Sequence, residues 1–427
     1  MTIGPLRATF LVAGNMIGSG VYLLPATLGA VGSVSVVGWI VSSFGAFLLA
    51  FVFAMLFRLR PDSPGMVRQV RDGLGPFFGY QTSLLYWIGG WVGNGAIAVA
   101  ATGYLSIFFP ALKATLPAAL CTTGVIWLLI GLNLAGARRV ADFEGGTLLI
   151  GLLPVLGIGI LGWFAFDAEV FRASWNVSGR PDLQVIPATF SLIFWAFLGL
   201  ESAAIAASVV RNPRRDVPLA TLGGVALAAV VYVAASVAIC GLLPASKLAA
   251  SSAPFADAAE RWIGPAAAAL VAVCAVLKAL GTLSGWLLVT AEASRSGAEA
   301  GVFPRWFLEP AGNAPRRNLV IVGVLMSAMV FLSASPTIAA QFTILINLAT
   351  LLFLLIYAFC CATLWRLTTH GGVRLATLAA AGFCIWAISA SDVQQLIYAG
   401  GLLLLSLPLW WWLQAHGKDM VIDAPAT

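Results

Sequence analysis

The chain has 427 residues, of which 60% are hydrophobic and 9% charged, and its formal net charge is +6. A mean hydropathy of +0.97 exceeds that of soluble domains and predicts a polytopic membrane protein. The arginines are concentrated in alternate loops, which is the pattern of cytoplasmic loops in membrane proteins. The basic excess therefore reflects membrane topology rather than nucleic-acid binding, and it predicts an even number of spans with both termini in the cytoplasm.

Twelve apolar segments are long enough to cross a bilayer as helices, and they form one membrane domain. In chain order they cover residues 5–30, 33–58, 77–108, 117–135, 143–167, 187–210, 218–243, 263–296, 318–334, 338–366, 374–391 and 394–414. Six cysteines lie inside these segments without metal-ligand spacing, so they are predicted to be free packing residues.

The first segment contains three glycines within seven residues, in the run Gly14-Asn15-Met16-Ile17-Gly18-Ser19-Gly20. Because glycine costs about 1 kcal/mol relative to alanine in a helix interior, the run predicts a broken helix. A break at bilayer depth is tolerated where it faces protein or a water-filled cavity, and the exposed N–H groups suit a carboxylate. The alternative is a glycine-rich face for packing between helices.

The sixth segment carries a second interruption, because Gly199 and the carboxylate Glu201 lie in its middle. Interrupted segments in corresponding positions of two halves indicate a transporter binding site built on inverted repeats. Two interruptions at a five-segment interval therefore favour a binding site over packing glycines.

These motifs resemble the amino acid–polyamine–organocation superfamily, and within it the bacterial basic amino acid/polyamine antiporters, most closely the arginine/agmatine antiporters. The resemblance runs nearly end to end and rests on Gly18-Ser19-Gly20, Gly199-Leu200-Glu201-Ser202 and Arg211-Asn212-Pro213-Arg214-Arg215-Asp216. It implies an all-α polytopic membrane protein with twelve transmembrane helices and a LeuT/APC-like five-plus-five inverted repeat, broken in helices 1 and 6. The halves would be residues 1–167 and 168–366, followed by two further helices and a tail in 367–427.

The resemblance also implies the residues of the site. Those expected to bind substrate are Asn15, Ile17, Gly18, Ser19, Gly20, Gly89, Gly90, Asn94, Ile97, Trp195, Leu198, Trp286 and Ala349. Those expected to gate the site or couple it to protons are Tyr86, Trp195, Glu201, Lys278 and Tyr357. In the relatives one tryptophan, here Trp195, closes over the substrate from outside, and another, here Trp286, stacks on its distal cation.

Physical chemistry supports several of these assignments. A charge at the bilayer midplane costs at least about 2.5–3.5 kcal/mol, so Glu201 marks a substrate or proton pathway unless it is a protonated packing residue. An indole within about 6 Å of a cation stabilises it by about 0.5–2 kcal/mol, which suits Trp195 and Trp286. Asn94 would either contact the substrate or make a hydrogen bond between helices.

Three departures from the arginine/agmatine pattern concern the end of the binding pocket that would hold the substrate side chain. Gly89, Gly90 and Ala349 are smaller or less polar than expected there, which puts arginine itself in doubt. Lys278, in the middle of segment eight, either snorkels to the outer interface or supplies a fixed internal charge in place of a coupling ion. If it faced the site, it would repel dibasic substrates.

The sequence therefore predicts a secondary transporter that exchanges an amino acid, of the arginine, lysine or ornithine type, for its amine or another amino acid by alternating access. The alternatives are a neutral amino acid uniporter or proton symporter and, less well supported, a channel or membrane-embedded enzyme. The chain has no nucleotide-binding fingerprint and no cluster of metal ligands, so it is expected to be no enzyme and to use no cofactor or metal. Expected partners are the small amino acid or amine substrate and the lipid bilayer. The resemblance adds a bacterial inner-membrane location, a homodimer and a functional link to a cytoplasmic amino acid decarboxylase.

Overall fold

The computed structural model of the chain describes residues 4–18, 20–61, 65–201, 210, 212–310 and 315–416, apart from the side chains of Leu11, Asn15 and His416. Within these ranges the regular structure is helical and no strand is formed. The prediction of an all-α membrane protein is thus confirmed for this part of the chain.

The helices are, in chain order, α1 (Pro5–Met16), α2 (Gly20–Gly29), α3 (Ser35–Leu59), α4 (Met66–Leu74), α5 (Pro76–Leu105), α6 (Thr115–Leu134), α7 (Ala137–Leu161), α8 (Ala168–Ala173), α9 (Asp182–Ala188), α10 (Phe190–Phe194), α11 (Pro213–Leu242), α12 (Ala245–Ala249), α13 (Pro254–Trp262), α14 (Pro265–Glu299), α15 (Arg316–Leu332), α16 (Ile338–Leu367), α17 (Gly371–Ser389) and α18 (Val393–His416). Short 3₁₀ turns add Pro110–Lys113, Gly162–Ala165, Trp195–Phe197 and Arg305–Phe307.

Nine helices in the described ranges are long and apolar enough to cross a membrane, namely α3, α5, α6, α7, α11, α14, α16, α17 and α18. The remaining predicted segments correspond to α15, to α1 with α2, and to α9 with α10 and the turn that follows. The largest boundary errors lie at charged ends. Helix α7 begins at Ala137 and α11 at Pro213, because the helices continue through arginines that the sequence analysis placed in loops.

The first predicted span is interrupted as expected. Helix α1 ends at Met16, Ile17 has ψ of 66°, and α2 begins at Gly20. The Met16 carbonyl accepts hydrogen bonds from the Gly18 N–H at 2.6 Å and from the Tyr232 hydroxyl at 2.6 Å. A side chain of α11 therefore satisfies a backbone group that the break exposes.

The sixth predicted span is also interrupted. After the turn Trp195–Phe197 the chain becomes extended at Leu198, and Gly199 has φ of +95°. This is a backbone conformation that residues with a Cβ rarely adopt, which explains a glycine at this position. Part of the predicted sixth span, residues 202–209, lies outside the described residues.

Helix α5 lies at the centre of the bundle, where it packs against α14 and α16. Helix α14 also packs against α7, and α11 packs against α3 and α1. In the most apolar stretch of each helix, 78% of the residues of α5 but 17% of those of α18 are buried by protein, so α18 is peripheral. The two interruptions face the central helices.

Candidate functional site

A cavity lies between the two helix interruptions and helices α5, α14 and α16. Its lining residues are Met16, Gly18, Gly20, Gly89, Gly90, Gly93, Asn94, Ile97, Trp195, Ala196, Leu198, Thr282, Trp286 and Phe353. A concave, mostly apolar wall with a few polar groups is the usual form of a small-molecule binding site.

The cavity brings together nine of the residues that the sequence analysis assigned to substrate binding: Gly18, Gly20, Gly89, Gly90, Asn94, Ile97, Trp195, Leu198 and Trp286. Ile17 and Ala349 are buried but do not line it, and Ala349 lies behind Gly93, where an added Cβ would come 3.7 Å from the Ala349 Cβ. The side chain of Asn15 and the whole of Ser19 lie outside the described residues.

Five lining residues are absent from the sequence-based set: Met16, Gly93, Ala196, Thr282 and Phe353. Thr282 lies one turn before Trp286 on the same face of α14, and this four-residue spacing is the signal that could have identified it. The Thr282 hydroxyl has no hydrogen-bond partner among the described residues. The oxygen is buried, so the structure leaves it as an unsatisfied polar group beside the cavity.

Trp195 extends from the second interruption across the cavity to helices α2 and α5. A Cβ on Gly20 would lie 3.0 Å from Trp195 Cδ1, and a Cβ on Gly93 would lie 2.9 Å from Trp195 Cη2. The indole is thus in close contact with both α2 and α5, and only 9% of the residue is exposed. The two glycines provide the space that the ring occupies.

Trp286 and Phe353 form the aromatic part of the wall. A Cβ on Gly199 would lie 3.5 Å from Trp286 Cζ2, so the indole reaches the second interruption. A Cβ on Gly89 would lie 3.0 Å from Phe353 Cε2. The glycines at 89 and 199 therefore allow close approach of aromatic rings and do not simply leave empty space.

Asn94 makes the interhelical hydrogen bond that the sequence analysis gave as one alternative, and it lines the cavity as well. Its Nδ2 donates to Oγ1 of Thr290 on α14 at 3.1 Å. The Thr290 hydroxyl in turn donates to the backbone carbonyl of Trp286 at 2.7 Å. Asn94 and Thr290 are both buried, so this hydrogen-bonded chain is shielded from bulk solvent.

Glu201 follows the second interruption and lies beside aromatic side chains. The Tyr357 hydroxyl donates to Oε2 of Glu201 at 2.7 Å. Tyr357, Phe353 and Tyr86 pack edge to face in sequence, with ring centroids 6.1 Å and 5.5 Å apart. A continuous group of side chains thus joins Glu201 to Phe353 in the cavity wall.

Lys278 does not snorkel, so that alternative is wrong. The residue is 3% exposed, and its Nζ lies 3.4 Å from the Gly14 carbonyl in the last turn of α1. Its stem packs against Gly151 of α7, and the Glu144 carboxylate is near enough to interact electrostatically. A cation at this helix end is favoured by the negative end of the helix dipole. Lys278 is not among the residues that line the cavity.

The segment that leads into α9 is held by local hydrogen bonds. Trp175 Nε1 and Asn176 Nδ2 donate to the Asp182 carboxylate at 3.0 Å and 2.6 Å. These bonds stabilise the ionised form and lower the pKa of Asp182. Backbone N–H groups of Ser33 and Val34 also donate to the carbonyls of residues 174 and 175, which ties the segment to the turn between α2 and α3.

The described residues contain no group of three or more histidines, cysteines or carboxylates arranged to hold a metal ion. The cavity instead offers backbone groups at the interruptions, aromatic rings, one amide and one free hydroxyl. Such a lining can bind a small charged molecule through oriented dipoles and ring faces.

The family model described as amino acid permease matches residues 3–412 of the chain. Three relatives are also similar to most of its length. The cadaverine/lysine antiporter of Escherichia coli is 38% identical over 370 residues, 85% of this chain and 83% of that protein. The putrescine transporter PotE of Haemophilus influenzae is 34% identical over 81% of this chain and 80% of its own length. PotE of Escherichia coli is 32% identical over 363 residues, which are 85% of this chain and 83% of that protein. These names specify lysine, cadaverine and putrescine rather than arginine or agmatine.

Proposed function

The chain belongs to the amino acid permease family, and on that premise we propose that it exchanges a cationic amino acid for a diamine across the bacterial inner membrane. Lysine or ornithine is the proposed amino acid, and cadaverine or putrescine the proposed amine. The names of the relatives support this choice of side chain.

The observation that carries the proposal is the composition of the cavity wall. No charged side chain is among the fourteen described residues that line it, yet it contains two indoles, a phenyl ring, an amide and a hydroxyl. A cation can be desolvated against Trp286 and Asn94 without a permanent counter-ion, which allows release as well as binding. A fixed carboxylate at the same place would hold a dication more tightly.

The two interruptions would bind the groups that all amino acids share. Helix α2 begins at Gly20. The first N–H groups of a helix have no partner within it and lie at the positive end of its dipole, so this end suits the substrate carboxylate. The carbonyls at the end of α1 and around Leu198 suit the α-ammonium group. A diamine has no carboxylate, so it would use the carbonyls and the distal wall alone.

The distal wall favours an alkylammonium over a guanidinium group. A guanidinium presents five N–H donors in a plane and binds best to several matched acceptors. The side chains at this end of the cavity supply one amide oxygen, from Asn94, beside Trp286 and Phe353. A compact ammonium leaves fewer donors without a partner there.

Alternating access would use a five-plus-five inverted repeat with halves at 1–167 and 168–366. The packing of helices supports this division. In the proposed repeat α5 corresponds to α14, and α16 corresponds to α7. The two corresponding pairs, α5 with α16 and α14 with α7, are both packed extensively. The same correspondence relates α5 with α15 to α14 with α6. Residues 367–427 would add two helices at the periphery.

Gating would involve aromatic and acidic side chains on either side of the substrate. Trp195 contacts both α2 and α5, which supports a role as the outer gate. Glu201 with Tyr357 and Tyr86 would control the inner side and carry the proton sensitivity. Lys278 does not line the cavity, so the observation that would have favoured a neutral amino acid transporter is missing.

Counterflow in proteoliposomes tests the proposal. Vesicles loaded with unlabelled lysine should accumulate labelled cadaverine, and external lysine, ornithine and putrescine should compete, because all present an alkylammonium group. Leucine, alanine and serine should not compete. If the neutral amino acids compete more strongly than lysine and the diamines, the proposal is contradicted. A flux that does not saturate with substrate concentration would indicate a channel.

A further inference from the structure

Asn94 can face the cavity with either of two opposite polar atoms, and the choice decides what it binds. Its amide carries an oxygen that accepts hydrogen bonds and an NH₂ group that donates them. An acceptor directed at the cavity attracts an ammonium group, whereas a donor repels it. The orientation of this amide is therefore a determinant of substrate charge.

The hydrogen-bonded chain on α14 fixes this orientation. Thr290 Oγ1 lies 2.7 Å from the Trp286 carbonyl, which can only accept, so the single hydroxyl proton of Thr290 is directed there. The atom of Asn94 that lies 3.1 Å from the same Oγ1 must then be a donor, which is Nδ2. The amide oxygen is thereby directed away from Thr290, and it is the hydrogen-bond acceptor that Asn94 can offer to the cavity it lines.

We infer that Thr290 is a positioning residue that selects for amines by holding the Asn94 amide with its oxygen towards the substrate. The inference rests on the proposed function, since it concerns how the same cavity distinguishes an ammonium group from an apolar one. Thr290 itself is not among the residues that line the cavity.

Gly90 supports this arrangement. A Cβ at that position would lie 2.9 Å from Thr290 Oγ1, so any larger residue would displace the hydroxyl. Gly90 precedes Asn94 by one turn on α5 and lies on the same face. The glycine thus provides the space in which Thr290 meets Asn94.

The test compares Thr290→Val, which removes the hydroxyl at nearly constant shape, with Thr290→Ser, which keeps it. Affinity for lysine and for norleucine, which has the same length without the ammonium group, is measured by competition on purified protein. Without the hydroxyl the amide is free to turn, so the lysine-to-norleucine preference should fall by roughly tenfold or more in the Val variant. The Ser variant should retain the preference.

Two further variants separate positioning from a general structural effect. In an Asn94→Ala background, Thr290→Val should cause no additional loss of preference, because the amide it orients is gone. Ser294→Ala is the matched control, since the Ser294 hydroxyl is also buried but, among the described residues, bonds only to the Ala291 carbonyl of its own helix.

The outcomes distinguish the two proposals. If the wild type binds lysine and the Val variant keeps the full preference, the role of Thr290 is wrong and the proposed function stands. An equal loss of lysine and norleucine binding would indicate a structural role and likewise overturn the inference. If the wild type binds neither lysine nor a diamine, the proposed function fails, and the inference fails with it.

Discussion

The two ends of the cavity are built from different parts of the polypeptide. At the interrupted helices the lining residues include Gly18, Gly20 and Leu198, where the regular hydrogen bonding of the helix backbone is broken. At the other end the lining consists of side chains, chiefly Asn94 and Trp286. Backbone groups are the same in every residue, so the first end suits any amino acid, whereas the second end can discriminate between side chains.

This difference predicts two kinds of defect. Changes at the backbone end should weaken all substrates together, because every amino acid substrate uses that end. Changes at the side-chain end should alter the ratio between cationic and neutral substrates. The following variants test the distinction in order of decreasing expected effect.

Gly20→Ala should reduce binding of every substrate. The added Cβ would lie 3.0 Å from Trp195 Cδ1, and the indole has Gly93 on its other side. Overpacking typically costs about 1–3 kcal/mol, which corresponds to roughly tenfold to more than a hundredfold in affinity. Calorimetry with lysine and cadaverine would measure it, and Gly124→Ala, with no atom within 4 Å of the added Cβ, is the control. Unchanged affinity for both substrates would contradict the close packing of Trp195 against Gly20.

Trp286→Leu should weaken cationic substrates selectively. Loss of a cation–π contact of about 0.5–2 kcal/mol lowers affinity by roughly two- to thirtyfold. Trp286→Phe should keep part of the affinity, since a phenyl face is a weaker partner. Trp412→Leu, at the half-exposed end of α18, should have no effect on substrate affinity. Equal affinity in the wild type and the Trp286→Leu variant would remove this residue from the site.

Glu201→Gln should change the pH profile of exchange more than affinity. The amide oxygen of glutamine can still accept the bond from Tyr357, which is 2.7 Å long in this structure, but the side chain can no longer take up a proton. Exchange in proteoliposomes should therefore lose its pH dependence while binding is largely retained. Tyr357→Phe keeps the carboxyl group and should keep a pH dependence. An unchanged profile in the Gln variant would place the proton-sensitive group elsewhere.

Lys278→Met should have the smallest effect on affinity. The ammonium group interacts with the Gly14 carbonyl and does not line the cavity. We expect the affinity for lysine to stay within about twofold, less than any single contact at the cavity wall contributes. Competition assays would measure it. A gain in binding of dibasic substrates would mean that Lys278 repels them and would favour the neutral alternative.

The glycine-rich interruptions were predictable from sequence, because a cluster of glycines weakens a helix wherever it lies. The lining residues Trp195, Trp286 and Asn94 were reached through resemblance. Thr290 was missed, and the direction in which Lys278 points stayed open, for one shared reason. Helix α14 is apolar on all sides, so hydrophobic periodicity gives no rotational orientation, and only packing reveals which residues meet α5 or α7.

The sequence also misplaced the starts of α7 and α11, because charged residues were taken to end a span. Helix propensity is not lost at an arginine, and a helix can continue past the bilayer into the aqueous region. The inverted repeat and the cytoplasmic location of the termini stay predictions. They depend on symmetry and on the membrane, neither of which composition alone determines.

Tyr232 links the two interruptions through one oxygen atom. Its hydroxyl lies 2.6 Å from the Met16 carbonyl and 2.9 Å from the Ala196 carbonyl, but it has a single proton. At any moment only one carbonyl can be the full acceptor. If either segment moved away, the hydroxyl could direct its hydrogen bond to the carbonyl that stays, so this donor would remain satisfied. One side chain of α11 thus serves the backbone of both interruptions, and it could stay hydrogen-bonded if their separation changed.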